Sequence, residues 1–331
     1  MSLRTRRRAA VAAVAALPLL TLGCGSDAEP EASGGGGDGA QEVATVTLGL
    51  IPIIDVAPIH LGMEQGFFAD QGIELELSAG QGGAAIVPGI VSGSLDVGFT
   101  NNLSLVIASA AGLPLQVVAS GVDSAGDPET DQFTIVTADD SITRPADLSG
   151  KTVAVNTVNA IGDTVVKASV EADGGDPDSI NFVELAFPTM PAAVTAGDVD
   201  AAWLVEPFVT IGESQGIRVL TTPLNDFTDI EVEVSTYVTS QQFATENPEV
   251  LDRFRTALEE SLEYAQQNPE AVRAILPTYL DMPPELAAQV RLPVWNTDVS
   301  EETLELFTEL GQKYGVLTGE PDLDALLAGV E

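Results

Sequence analysis

Apolar and polar positions over residues 46–102 follow two alternating periods. Val46 to Ile51 is a short apolar run, followed by a loop from Pro52 to Asp55. From Val56 to Phe68 the apolar residues Ile59, Met63 and Phe67 fall at the spacing of one helix face. Asp55 is placed to cap that helix, and Pro58 sits in its first turn, where a missing N–H costs little. Ile73 to Leu77 alternates as a strand, Gly80 to Gly83 is a loop, Ala84 to Val91 a second helix, and Leu95 to Phe99 a third strand running into Thr100, Asn101 and Asn102. Each strand feeds a polar or glycine-rich loop that opens a helix. The pattern predicts a parallel α/β sheet with its loops gathered at one edge, where open sheets take ligands.

The same order returns further on. Pro114 to Ser120 and Gln132 to Thr137 read as strands. Thr152 to Val155 is then a strand, Asn156 to Gly162 a polar loop, Asp163 to Glu171 a helix, Ile180 to Leu185 a strand, and Pro191 to Ala196 a short helix. GDVDAAWLVEPF after it parallels the earlier GSLDVGFTNN, so two similar α/β units lie at about 46–120 and 150–210. Val232 to Thr239 alternates well and reads as a return crossing to the first unit. Beyond it Asn247 to Gln267, Pro269 to Leu276, Pro283 to Leu292 and Glu301 to Tyr314 carry helical spacing and are divided by prolines.

The N-terminus is of another kind. Arginines at 4, 6, 7 and 8 precede an apolar stretch from Ala9 to Leu22. As a helix it would reach ~21 Å, short of a ~30 Å hydrocarbon core, so it reads as an export signal over residues 1–23. Cys24, the only cysteine, follows Thr21, Leu22 and Gly23, which resembles a bacterial lipoprotein box, although leucine is commoner than threonine at position 21. The alternative is an ordinary signal peptide with a stray thiol, and in either case an internal disulfide is excluded. Residues 24–45, with GGGGDG at their centre, lack apolar periodicity and read as a flexible tether.

Charge narrows the partners. The chain of 331 residues has 13 basic and 50 acidic side chains; without the four leader arginines the balance is −41. Such a field repels nucleic acid and anionic lipid, and suits a soluble surface in an extracellular or salty medium.

The segments APIHLGMEQGFFADQGIELEL, GIVSGSLDVGF, AAGLPLQVVAS, DLSGKTVAV and VTAGDVDAAWLVEPF, in this order and spacing, resemble the solute-binding proteins of ABC importers. The resemblance is to the nitrate, sulfonate and taurine group, which shares its fold with thiamine-pyrimidine-precursor proteins, and it covers nearly all of residues 46–320. It implies a two-lobed periplasmic-binding-protein fold of type II, with two doubly wound α/β domains joined by a two-stranded hinge. The first lobe is then expected at 46–137 and 239–331, and the second at 138–238. It also implies a small-molecule ligand in the cleft, hinge closure over it, and an ABC permease and ATPase as partners. Localisation would be extracytoplasmic, with Cys24 as the lipid anchor.

The candidate ligand residues are those of the loops. In the first lobe they are Asp55, His60, Gln81, Gly82, Gly83, Asn101 and Asn102; in the second, Asn156, Thr157, Asn159, Thr189, Met190, Trp203 and Glu206. Each also has a structural reading. The asparagines form turns and caps, Asp55 is an N-cap, Trp203 at a strand end is core, and Glu206, before Pro207, orients its loop. His60 is the only histidine, so neither a catalytic triad nor a histidine pair can be assembled, and no catalytic residue, metal or cofactor is expected. No lysine or arginine occurs between residues 24 and 143. An anion would rest on helix N-termini and hydroxyls unless Arg291 folds over the cleft, so the residues favour a neutral or cationic organic ligand, such as a heterocycle. Two alternatives to the receptor remain: an enzyme on the same fold, resembling thiamine-pyrimidine synthases but lacking their cysteine-rich motif, and a sensory or adhesive lipoprotein.

Overall fold

A computed structural model describes residues 43–330. The expected leader, Cys24 and the tether as far as residue 42 lie outside the described residues. The tether's expected end at residue 45 is late by two positions, because Ala44 and Thr45 already pair in the first strand.

Among the described residues ten strands form two five-stranded mixed sheets. The first contains β1 (Ala44–Leu50), β2 (Ile73–Ala79), β3 (Val97–Asn101), β4 (Leu115–Asp123) and β10 (Glu233–Ser240), in the order β2-β1-β3-β10-β4. The second contains β5 (Thr134–Thr137), β6 (Thr152–Val155), β7 (Asn181–Glu184), β8 (Ala201–Leu204) and β9 (Arg218–Thr221), in the order β7-β6-β8-β5-β9. β1 runs parallel to β2 and β3, and β6 parallel to β7 and β8. β10 is antiparallel to both its neighbours, and so is β5.

These pairings shift the expected lobe boundaries. A break after residue 137 leaves β5 in the first lobe and one after 238 cuts β10, yet β5 pairs only within the second sheet and β10 only within the first. The crossings are therefore the segments 124–133 and 222–232. They are tied together by Ser124 N–H to Val232 O at 2.8 Å and Asn225 Nδ2 to Asp131 Oδ2 at 3.1 Å.

Helices cover the faces. In the first half of the chain these are α1 (Ala57–Gln65), α2 (Phe67–Asp70), α3 (Gly83–Ser92), α4 (Asn102–Ala110), α5 (Ile161–Ala172), α6 (Met190–Ala196), α7 (Phe208–Ser214) and α8 (Leu224–Phe227). The helix expected over 56–68 is divided at Gly66, which takes the left-handed conformation (φ 89°) that glycine allows. The C-terminal part adds α9 (Gln241–Glu246), α10 (Pro248–Gln267), α11 (Pro269–Tyr279), α12 (Pro284–Ala287), α13 (Glu301–Lys313) and α14 (Leu323–Leu327). α10 packs on α1 with Leu251, Phe254, Leu258 and Leu262 buried at helical spacing. Each fully buried side chain of this kind contributes ~1.5–3 kcal/mol. The helix expected over 283–292 forms only as α12. After it the chain is extended, and Val294 bridges to Asp123 at the end of β4.

Candidate functional site

The loops after β1 and β2 face those after β6, β7 and β8, so the C-terminal ends of parallel strands of both sheets meet across one seam. Asn156 Nδ2 donates to Gln81 O at 2.9 Å, and Ile54 N–H to Glu206 O at 3.2 Å. A Cβ placed on Gly82 would lie 2.7 Å from Thr157 Oγ1, so only a glycine admits so close an approach of the second lobe. Beside this seam is a cavity of about 220 Å³, walled by Ile51, Pro52 and Ala79 to Gln81 on one side and by Ala186 to Pro188 and Phe208 on the other. Phe187 and Phe208 stack with centroids 5.9 Å apart and planes 7° apart, and no charged side chain lines the space.

The structure divides the sequence-predicted residues into three groups. Gln81, Gly82, Asn156 and Thr157 meet at the seam. Asn159 follows closely in its loop in the left-handed conformation (φ 54°) that asparagine tolerates, and its N–H, like that of Ala160, is accepted by Asp163 at the start of α5. Thr189 is exposed and bonds back to Ala186 O at 2.8 Å.

A second group is taken up inside the lobes. Asn101 caps α4 by accepting from Ser104 N–H at 2.8 Å, and the fully buried Asn102 donates to Glu233 O at 2.7 Å. Gly83 is pressed on its own lobe, where a Cβ would meet Thr100 Oγ1 at 2.3 Å. Met190 is fully buried, and Trp203 is 4% exposed with its ring tilted against Phe187.

The third group surrounds the β1 loop and the Glu206 loop. Asp55 does not cap α1 as expected. It sits within a 3-10 turn (Ile54–Val56), and its Oδ1 accepts from Gln132 Nε2 at 2.8 Å in the first crossing. Burial pushes its carboxyl up to about 7, against the pull of that hydrogen bond. His60 stacks on Tyr279 at 3.8 Å and 9°, and burial pushes it down to about 4, so it is neutral at pH 7. Its Nε2 and Oε1 of Gln132 have no protein partner among the described residues. Glu206 is fully buried and accepts from Thr210 N–H (3.1 Å), Thr210 Oγ1 (2.9 Å), Arg291 N–H (3.1 Å) and Arg291 Nη1 (3.3 Å). Burial raises its pKa, and these donors oppose the rise.

Arg291 does reach the cleft's edge, but its guanidinium is committed to Glu206 and Glu213. Among the described residues no group of three or more His, Cys, Asp or Glu side chains is placed to hold a metal ion. The arrangement can enclose a small uncharged molecule between aromatic faces and amide groups, with backbone carbonyls and N–H groups at its rim. Sequence reasoning missed Phe187 and Phe208 because an apolar residue in a loop looks like core. Their one signal was position, each flanking a loop that follows a parallel strand.

The model of the NMT1/THI5-like family matches residues 53–272. The chain belongs to that family. At 23% identity over 275 residues, 82% of this chain and 78% of the relative, it is similar to the formylaminopyrimidine-binding protein of Halalkalibacterium halodurans. It is also 21% identical over 287 residues, 80% of each chain, to a protein of Aspergillus parasiticus named 4-amino-5-hydroxymethyl-2-methylpyrimidine phosphate synthase. Among solved structures, the alkanesulfonate-binding protein SsuA of Xanthomonas axonopodis pv. citri, bound to MOPS, superposes with a TM-score of 0.71 at 18% identity, over 87% of this chain and 99% of that one. This likeness establishes the fold, that of periplasmic binding proteins. The ligand has to be argued from the site.

Proposed function

We propose that the protein is the extracytoplasmic solute-binding receptor of an ABC importer, anchored through lipid on Cys24. It captures a small, uncharged or cationic organic solute between its lobes and hands it to a permease driven by an ATPase. The observation that carries the ligand class is the cavity between the lobes, with stacked Phe187 and Phe208 and no charged lining. An anion there would have no guanidinium or ammonium to meet it, while a flat heterocycle gains apolar contact and an amide at Gln81. Capture follows from touching both lobes, because a ligand that contacts both binds the closed form better than the open one. The relative named as a formylaminopyrimidine-binding protein fits this class.

A thermal-shift screen with pyrimidines, amines, taurine, sulfonates, bicarbonate and nitrate tests the proposal. A ligand at ~100 times its Kd raises stability by ~2.7 kcal/mol. We expect that rise with uncharged heterocycles or amines. Stabilisation by nitrate or sulfonates alone would overturn the ligand class, no stabilisation by any solute would overturn the receptor, and turnover of a pyrimidine would mark an enzyme.

A further inference from the structure

The end of α11 and the chain that follows it hold both lips of the cleft. On the first lobe, Tyr279 donates its hydroxyl to Ile53 O at 3.1 Å and Trp295 Nε1 donates to Asp55 O at 3.0 Å, so the β1 loop is fastened twice to this segment. Asp123 N–H, donating to Val294 O at 2.8 Å, fastens the segment to β4 as well. Arg291 lies between Tyr279 and Trp295 in sequence and points to the other lobe. Its N–H and Nη1 reach Glu206 Oε1, and its two terminal nitrogens meet Glu213 on α7 at 2.9 and 3.1 Å. These two carboxylates bracket Phe208, a wall of the cavity.

We propose that Arg291 is a positioning residue for solute capture: beside the two crossings, the Asn156–Gln81 and Ile54–Glu206 hydrogen bonds and the Lys313–Glu171 ion pair, it is the link that holds the Glu206–Glu213 lip closed against the β1 loop. Glu206 is fully buried, so without the guanidinium its charge is left unpaired away from water, and the cleft can relieve that by opening and hydrating it. The planar fork serves Glu213 in bidentate fashion while still reaching Glu206, which a lysine ammonium on a single point cannot reproduce. Glu213 is partly exposed, and its share of the link is the smaller. The inference rests on the reading of the cleft as a solute site, but its consequence is visible with no solute present.

The test uses the full chain with Cys24→Ser and spin labels on Ala85→Cys of α3 and Ala192→Cys of α6, exposed positions on opposite lobes. Electron–electron distance measurements without solute should give one narrow distribution for the otherwise native chain. Arg291→Ala should add a longer population, Arg291→Lys should restore part of the short one, and Glu213→Gln should shift it slightly in the same direction as Arg291→Ala. Superimposable distributions for native, Arg291→Ala and Glu213→Gln chains, with unchanged circular dichroism, would overturn the link. If Arg291→Ala fails to fold, Glu213→Gln decides alone: an added longer population supports the link and an unchanged distribution overturns it. Distances that respond in a chain that binds no solute would sink the receptor reading and leave the link standing.

Discussion

In the first sheet β10 returns from the second half of the chain and lies antiparallel between β3 and β4; in the second, β5 arrives from the first half and lies antiparallel between β8 and β9. The two lobes thus share one strand order, each completed by a strand next to a crossing. Their loops use polar side chains differently. In the first lobe, Asn101, Asn102 and Asp55 bond to a helix end, to β10 and to the crossing. In the second, Asn156 reaches Gln81 across the seam, and Glu206 receives Arg291 from the other side. On the proposed reading the first lobe's loop side chains form a preformed wall, while Asn156, and Arg291 toward Glu206, make the reach across the seam, so mutations of the two sets should separate stability from capture.

The largest effect that would break this contrast is at Trp203, which belongs to the second lobe but is buried against Phe187. Trp203→Ala should cost ~3–5 kcal/mol of unfolding free energy in urea titration, as large core truncations do, while the folded fraction keeps its response to solute. Little loss of stability with loss of the solute response would instead make Trp203 part of the reach.

A smaller effect sharpens the first lobe's role. Burial pushes Asp55 and Glu233 up to about 7, the latter against hydrogen bonds that include Ser300 N–H at 2.9 Å, and the charge of Asp123 adds to its rise. Between about pH 4 and pH 7 the folded chain keeps protons that the unfolded chain has released. Stability therefore falls as pH rises through this window, by ~1.4 kcal/mol per unit for each such carboxyl. Urea midpoints measured between about pH 5 and pH 8 should drop in the native chain and drop less in Glu233→Gln. Equal slopes in the two would remove Glu233 from the account.

Much of this was legible in the sequence, because the strand–loop–helix order is local. β6 was read residue for residue as Thr152 to Val155, and the facing loops followed from counting such units. What escaped was set by distant pairing. Nothing in the run from Thr134 to Thr137 says that it lies between β8 and β9, and nothing near Asp55 announces Gln132, 77 positions away, as the partner that draws it from the cap. Arg291 was noticed as the one cation able to fold over the cleft, but its position depends on an extended segment where the spacing had suggested helix. The site's aromatic walls were hidden because an apolar residue at a loop, as Phe187 and Phe208 are, carries no polar signal of a site.

If solute is held in the cavity between the lobes, beside the seam where Gly82 meets Thr157, titration calorimetry on native and Gly82→Val chains, with the heterocycle or amine that most stabilises the native chain as probe, tests it most directly. A valine there leaves the first lobe's own packing alone but props the second lobe away. The account predicts binding by the native chain and at least a ~10-fold weaker Kd in the variant, about 1.4 kcal/mol, at an unchanged melting temperature without probe. Equal affinity in the two chains would contradict it.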